Sequence, residues 1–393
     1  MNVVSAFLHR MVKRLGGIPY FLADHDLFPI RKDRICFLSR PDYGDNARVL
    51  FDYMMDHGYD RSYEFIWLVE HPEAYPDGIR GCRVYKVNSV GGALKELSSA
   101  WVFATHRFLH VSPHRKGQRC IFLGHGCGYK GDAPTTKKMF DQYLVISPLW
   151  KDVYARTFHC DRDRFLPLGY PRYDLMLHPT RDVTADFRAL VGAKEGEKIV
   201  LWMPTFRVTS GRDFPEAKIQ YTYPLPGLKS AQELETLNQV CREANVILVI
   251  KRHILQVEWN VSDLSHVRFL SNEDLETAGI QLYETLACTD ALVSDYSSVS
   301  IDYMLLDKPQ GFVLDDFDQY QDARGYNLAD PLRYMPGAHI MDLADFSEFV
   351  RSVAGGEDPC AEDRARCRKE LLREDVPASY CEDILKHFHL SAK

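Results

Sequence analysis

Residues 291–306 read ALVSDYSSVSIDYMLL: a short apolar run, Ala291–Ser294, then the polar turn Asp295-Tyr296-Ser297-Ser298, then helical spacing over Val299–Leu306. A buried strand, a tight polar turn and a helix make half of a βαβ unit. The same order recurs around it. Ile199–Met203, Val246–Ile250, Val267–Leu270 and Gly311–Leu314 read as strands, and Ala231–Ala244 and Gln281–Thr289 as helices. Strands that alternate with helices imply a parallel sheet covered on both faces.

Further toward the start, Ile35–Ser39, Glu64–Val69, Trp101–Ala104, Cys120–Leu123 and Tyr143–Ser147 read as strands, with helices at Asp45–His57, Val90–Ala100 and Leu149–His159. The breaker-rich stretch Gly169–Pro179 separates the two series. The fold expected is α/β, two Rossmann-like domains facing across a cleft, with ligands at the carboxyl ends of the strands. The domains predicted are 19–175 and 176–393, the second ending in closing helices at Asp363–Glu374 and Tyr380–His389. Arg207–Lys229, rich in Pro and Gly, reads as a long loop near that cleft.

A chain of 393 residues, 46% hydrophobic and 26% charged, has room for two cores. Its net charge of −7 argues against a general nucleic-acid coat, which needs a broad basic surface. Ten cysteines are spread without a CxxC pair, and Cys120/Cys127 and Cys360/Cys367 fit neither zinc nor redox spacing, so reduced thiols in a cytosolic protein are expected. No apolar run of about 18 residues suits a spanning helix, and no signal-peptide cleavage pattern is present. Within residues 1–18, Val3, Val4, Phe7, Leu8, Met11, Val12 and Leu15 recur at helical spacing opposite His9, Arg10, Lys13 and Arg14. Such a basic amphipathic helix suits either an anionic membrane interface or packing on the protein's own core.

Chemistry-bearing residues gather where strands end. Gly124-His125-Gly126-Cys127-Gly128-Tyr129-Lys130 follows Cys120–Leu123. Its glycines allow sharp turns and close approach, His125 is placed to take a proton from a hydroxyl, and Lys130 to hold a phosphate oxygen. A lone histidine is more often structural; the strand, glycines and lysine together favour function. Ser297 and Ser298 offer hydroxyls and N–H groups at a helix start, which suits phosphate as well as plain capping. Lys251-Arg252-His253, Pro204-Thr205-Phe206-Arg207 and Arg324-Gly325 end or follow other strands, where cationic groups suit a diphosphate. Singly each would be a solvated charge. HExxH, the Walker pattern, the GxSxG elbow and a glycosidase dyad are absent.

Taken in order, Gly124–Lys130, Leu168–Asp174, Met203–Arg207, Lys251–His253, Asp295–Pro309 and Asp316–Gly325 resemble the CDP-glycerol glycerophosphotransferase family, the teichoic acid primases and polymerases. The chain departs from the family pattern at Cys127-Gly128 and around His253. The resemblance implies a GT-B-like pair of domains, the first for the acceptor and the second for the CDP donor. It implies transfer of glycerol phosphate from CDP-glycerol to a lipid-linked or polymeric acceptor, release of CMP, and peripheral attachment at the cytoplasmic face of the membrane. Carried over, His125 is the general base and Asp295 a catalytic residue that supports the site. Gly126, Lys130, Arg172, Thr205, Arg207, Arg252, His253, Ser297, Ser298, Arg324 and Gly325 are the substrate-binding set. No cofactor, metal or nucleic acid is expected. The rivals are transfer of ribitol phosphate or a capsule polyol phosphate, a nucleotide-sugar glycosyltransferase of the same architecture, and a non-catalytic binding module.

Overall fold

The computed structural model describes residues 29–106, 115–131, 140–205, 219, 223–251 and 264–392. The chain divides into two compact units, Met1–His125 with Pro134–Arg172 and Asp375–Lys393, and Gly126–Ala133 with Tyr173–Glu374.

The first unit carries strands β1 (Arg31–Leu38), β2 (Glu64–Val69), β3 (Arg83–Lys86), β4 (Ser99–Ala104), β5 (Arg119–Phe122), β6 (Gln142–Leu144) and β7 (Phe165–Leu166). They form one sheet in the order β3-β2-β1-β4-β5-β6-β7, and every pairing is parallel. β2, β4 and the second half of β1, Ile35–Leu38, are almost wholly apolar because helices cover a doubly buried sheet. Phe37 lies at the centre, stacked on Trp67 and Phe103 with ring centroids 5.4 and 5.6 Å away. The helix Tyr380–His387 returns to this unit, and Phe388 just beyond it packs on Trp101 and Phe103 at 5.6 and 6.1 Å.

The second unit carries β8 (Lys198–Trp202), β9 (Val246–Lys251), β10 (Val267–Leu270), β11 (Ala291–Ser294), β12 (Gln310–Val313) and β13 (Ala338–Ile340). The order is β10-β9-β8-β11-β12-β13, again parallel throughout. Helices Ala231–Glu243 and Leu343–Gly355 lay Leu234, Leu237, Phe346, Phe349 and Val350 on Trp202 and its neighbours. The first helix is started by Ser230, whose hydroxyl accepts from Glu233 N–H. The second is started by Asp342 and ended by Gly356 in the left-handed region.

Both sheets reverse their direction of growth once, at β1/β4 and at β8/β11, so each is a doubly wound sheet with its own switch point. β3, β7, β13 and the helix Leu343–Gly355 add to the elements expected from sequence. β3 is half exposed and β7 and β13 are two and three residues long, too little for an apolar run. Two segments lie outside the continuous bounds 19–175 and 176–393. Gly126–Ala133 goes with the second unit and Asp375–Lys393 with the first. The amphipathic segment 1–18 lies outside the described residues.

Candidate active site

In the first unit the candidate groups stand on the loops that leave β1, β4, β5 and β7. Gly124, after β5, has φ of 80°, and a Cβ there would come within 2.2 Å of the Tyr170 ring, so only glycine fits. His125 follows, with 63% of its side chain exposed and Nδ1 2.9 Å from Asp45 Oδ2. Asp45 opens the helix Asp45–Asp56 after β1, and its Oδ1 accepts from a terminal nitrogen of Arg172 at 2.9 Å. Arg172 is buried; its guanidinium also reaches the His125 carbonyl at 3.4 Å and lies over the Tyr170 ring at 5.1 Å. Asn46, fully buried, donates to the carbonyls of Leu123 and Gly124 at 3.1 and 3.2 Å and accepts from Arg172 N–H at 3.1 Å. One dipeptide therefore ties together the loops that bear the histidine and the arginine.

Burial would raise the Asp45 carboxyl pKa. The positive charge of Arg172 and the bond from His125 more than reverse this and hold it well below the usual carboxylate range. An ionised carboxylate only accepts, so His125 Nδ1 donates, and in the neutral ring Nε2 keeps its lone pair. The His106 ring lies 4.8 Å away at 66°. Burial pushes that imidazole down to about 4, so it is uncharged at neutral pH.

In the second unit, Asp295 is fully buried after β11 and accepts from Thr205 N–H and Oγ1 at 2.7 and 2.5 Å, which pins the end of β8 to the end of β11. Tyr296 turns inward, donating to Asp316 at 2.7 Å with its ring 4.1 Å from that of Tyr320. With Tyr296 anchored, the half-buried Ser297 and Ser298 are presented at the start of the helix Val299–Tyr303, and the Ser298 hydroxyl makes no capping bond. Simple N-capping therefore does not account for it. Within the helix, buried Asp302 accepts from the hydroxyls of Tyr173 and Tyr283.

The glycine-rich segment lies along this turn. A Cβ on Gly128 would sit 3.1 Å from Ser298 Cβ, and one on Gly131 2.7 Å from the Arg324 carbonyl. Asn327 N–H donates to the Tyr129 carbonyl at 2.8 Å, Gly131 N–H to Gly325 at 2.8 Å, and Arg324 Nε to Gly131 at 3.2 Å. Lys130 bridges to Tyr326. Lys251, at the end of β9, is buried and donates to Asn272 at 2.6 Å.

Of the residues singled out from sequence, His125 and Arg172 thus meet in the first unit. Gly126, Lys130, Thr205, Asp295, Ser297, Ser298, Arg324 and Gly325 belong to the second. Three of these residues are buried. Asp295, expected as a catalytic group, and Thr205, expected at the substrate, are bonded to each other. Arg172, expected on substrate, is buried against Asp45. Arg207, Arg252 and His253, with most of the 207–229 loop, lie outside the described residues. Asp45, Asn46 and His106 were not singled out. Their signal is positional, since each follows a strand on the side where His125 stands. Among the described residues no group of three or more His, Cys, Asp or Glu side chains is placed to hold a metal ion, and no helix is long and apolar enough to cross a membrane.

Comparison with known proteins fits this arrangement. The sequence profile of the CDP-glycerol:poly(glycerophosphate) glycerophosphotransferases matches residues 20–373. The teichoic acid ribitol-phosphate primase of Bacillus spizizenii is 25% identical over 89% of this chain and 90% of its own length. The teichoic acid glycerol-phosphate transferase of Staphylococcus aureus is 25% identical over 79% of this chain and 81% of its own. The solved structure of the wall teichoic acid polymerase TagF superposes with a TM-score of 0.75 at 19% identity, covering 98% of this chain and 95% of that one, which shows a shared fold. With one profile covering most of its length, the chain belongs to the CDP-glycerol:poly(glycerophosphate) glycerophosphotransferase family.

Proposed function

We propose that this enzyme transfers glycerol phosphate from CDP-glycerol to a hydroxyl of a lipid-linked or polymeric acceptor during cell-surface polymer synthesis. In this reading His125 Nε2 takes the acceptor's proton while the acceptor oxygen bonds to the phosphorus that carries glycerol. The bond from that phosphorus to the bridging oxygen breaks, and CMP leaves with the bond's electrons. Ser297, Ser298, Lys130 and Arg324 stabilise charge on the diphosphate, in chemistry that depends on placement and electrostatics. The first unit serves the acceptor and the second the donor, and the acceptor brings the enzyme to the cytoplasmic face of the membrane. The observation that carries the reading is His125 itself, exposed on a strand's carboxyl end with Nδ1 committed to a carboxylate and Nε2 left as acceptor.

The test is incubation of the enzyme and its His125→Ala variant with an acceptor and CDP-glycerol, CDP-ribitol or UDP-sugars, with products read by mass spectrometry. CMP release with addition of glycerol phosphate is expected, reduced about 10²-fold or more in the variant. UDP release from a UDP-sugar, without CMP release, would sink the reading. A second reading, transfer of ribitol phosphate, is favoured by the similarity to a ribitol-phosphate primase along 90% of that relative's length, and the CDP-ribitol arm decides it.

A further inference from the structure

We propose that Asp45, held by Arg172, is the positioning residue that sets the tautomer and aim of His125, directing Nε2 to the acceptor's proton. The proposal rests on the reading of His125 as the base. Each oxygen of the Asp45 carboxylate has its own cationic or donor partner, Arg172 on Oδ1 and His125 on Oδ2, both at 2.9 Å. A carboxylate engaged at both ends cannot swing away from the ring. Its backbone is equally determined. Asp45 has φ of 52°, a left-handed conformation that few residues other than glycine, Asn and Asp adopt. Asn46 beside it is bonded to the loops on which His125 and Arg172 stand.

An acidic residue that merely complemented a helix dipole would need neither the second partner nor this backbone. The arrangement has a chemical consequence. When Nε2 takes the hydroxyl proton, the ring becomes an imidazolium whose charge faces an anion 2.9 Å away. Arg172 lowers the basicity of that anion, so the proton remains on the ring and does not pass to the carboxylate.

Asp45→Asn tests this with little disturbance of the backbone, because Asn tolerates the same left-handed conformation. A carboxamide can both donate and accept, so it no longer dictates which ring nitrogen carries the proton. The full chain is labelled with ¹⁵N-histidine, and His125→Gln identifies the His125 signals. The native neutral ring is expected to be protonated at Nδ1 and Asp45→Asn to give mixed tautomers. The variant's kcat should fall roughly 10²- to 10⁴-fold while KM for CDP-glycerol stays within about threefold. Asp45→Glu, which keeps the charge but moves it by one methylene, should retain the native tautomer with a smaller loss of kcat.

An Asp45→Asn enzyme whose ring stays protonated at Nδ1, or whose kcat is near normal, overturns the proposal. So does a loss of kcat in Asp45→Glu as deep as in Asp45→Asn with its tautomer lost as well. Near-normal turnover in His125→Ala would instead end the base assignment. The tautomer comparison would still report whether Asp45 controls the ring.

Discussion

His106 shows what one half-buried side chain imposes on the protein's response to acid. Its imidazole sits against His125, and burial depresses its pKa to about 4 from the ordinary value near 6.5. As pH falls through this window the unfolded chain takes up a proton before the folded one, so stability is full above the ordinary value and declines toward the depressed one. Asp45 is also depressed, but its contribution is lost only below the ordinary carboxylate range, so the two effects occupy separate windows. Urea midpoints at pH 7, 6 and 5 should therefore fall less steeply for His106→Gln than for the native enzyme; parallel slopes would contradict the assignment. Residues of this kind differ in how well sequence reveals them. His125 and the pair Ser297-Ser298 stand out because polar groups follow apolar runs and glycines. Asp45 does not, because an acid at a helix start is common on electrostatic grounds alone. Only the fold brings it, across 80 positions, to the histidine.

At the scale of elements, the glycine-rich segment after β5 is built by exclusion of volume. Gly128 has no left-handed constraint, so its requirement is room, with Ser298 backbone atoms 3.3 Å from where its Cβ would lie. Gly128→Val should push the Ser298 turn by a few tenths of an ångström and raise KM for CDP-glycerol by about tenfold with a smaller change in kcat. Steady-state kinetics check this, and an unchanged KM would detach Ser298 from the donor. Three strands are legible to the residue: β2, β10 and β11 fall where Glu64–Val69, Val267–Leu270 and Ala291–Ser294 were expected. β3 and β13 are not, since β3 is half exposed and β13 is only three residues long, too little for an apolar run. The helix Leu343–Gly355 does carry its period, in Leu343, Phe346, Phe349, Val350 and Val353, and belongs among the readable elements.

For the whole molecule, two parallel α/β sheets follow from the alternation of apolar runs and helical stretches, while the path of the chain does not. Continuous ranges assume one crossing, yet the chain leaves the first unit after His125, is back in it at Phe140, leaves again after Arg172 and comes back at Asp375. Those crossings rest on local packing, such as Phe388 on Trp101, which no periodicity announces. The proposed membrane attachment belongs to this scale too. Its sequence signal is the basic amphipathic run Val3–Leu15, and enzyme lacking residues 1–16 should bind anionic liposomes at least several-fold more weakly in co-sedimentation. Equal sedimentation would assign that segment to the protein's own core. The return of the last helix also orders biosynthesis. While a ribosome is still adding Asp375 onward, the second sheet already has all its strands, whereas Trp101 and Phe103 still await Phe388. The first sheet is thus completed after the second, and a nascent chain stalled in that interval would display aromatic surface to chaperones.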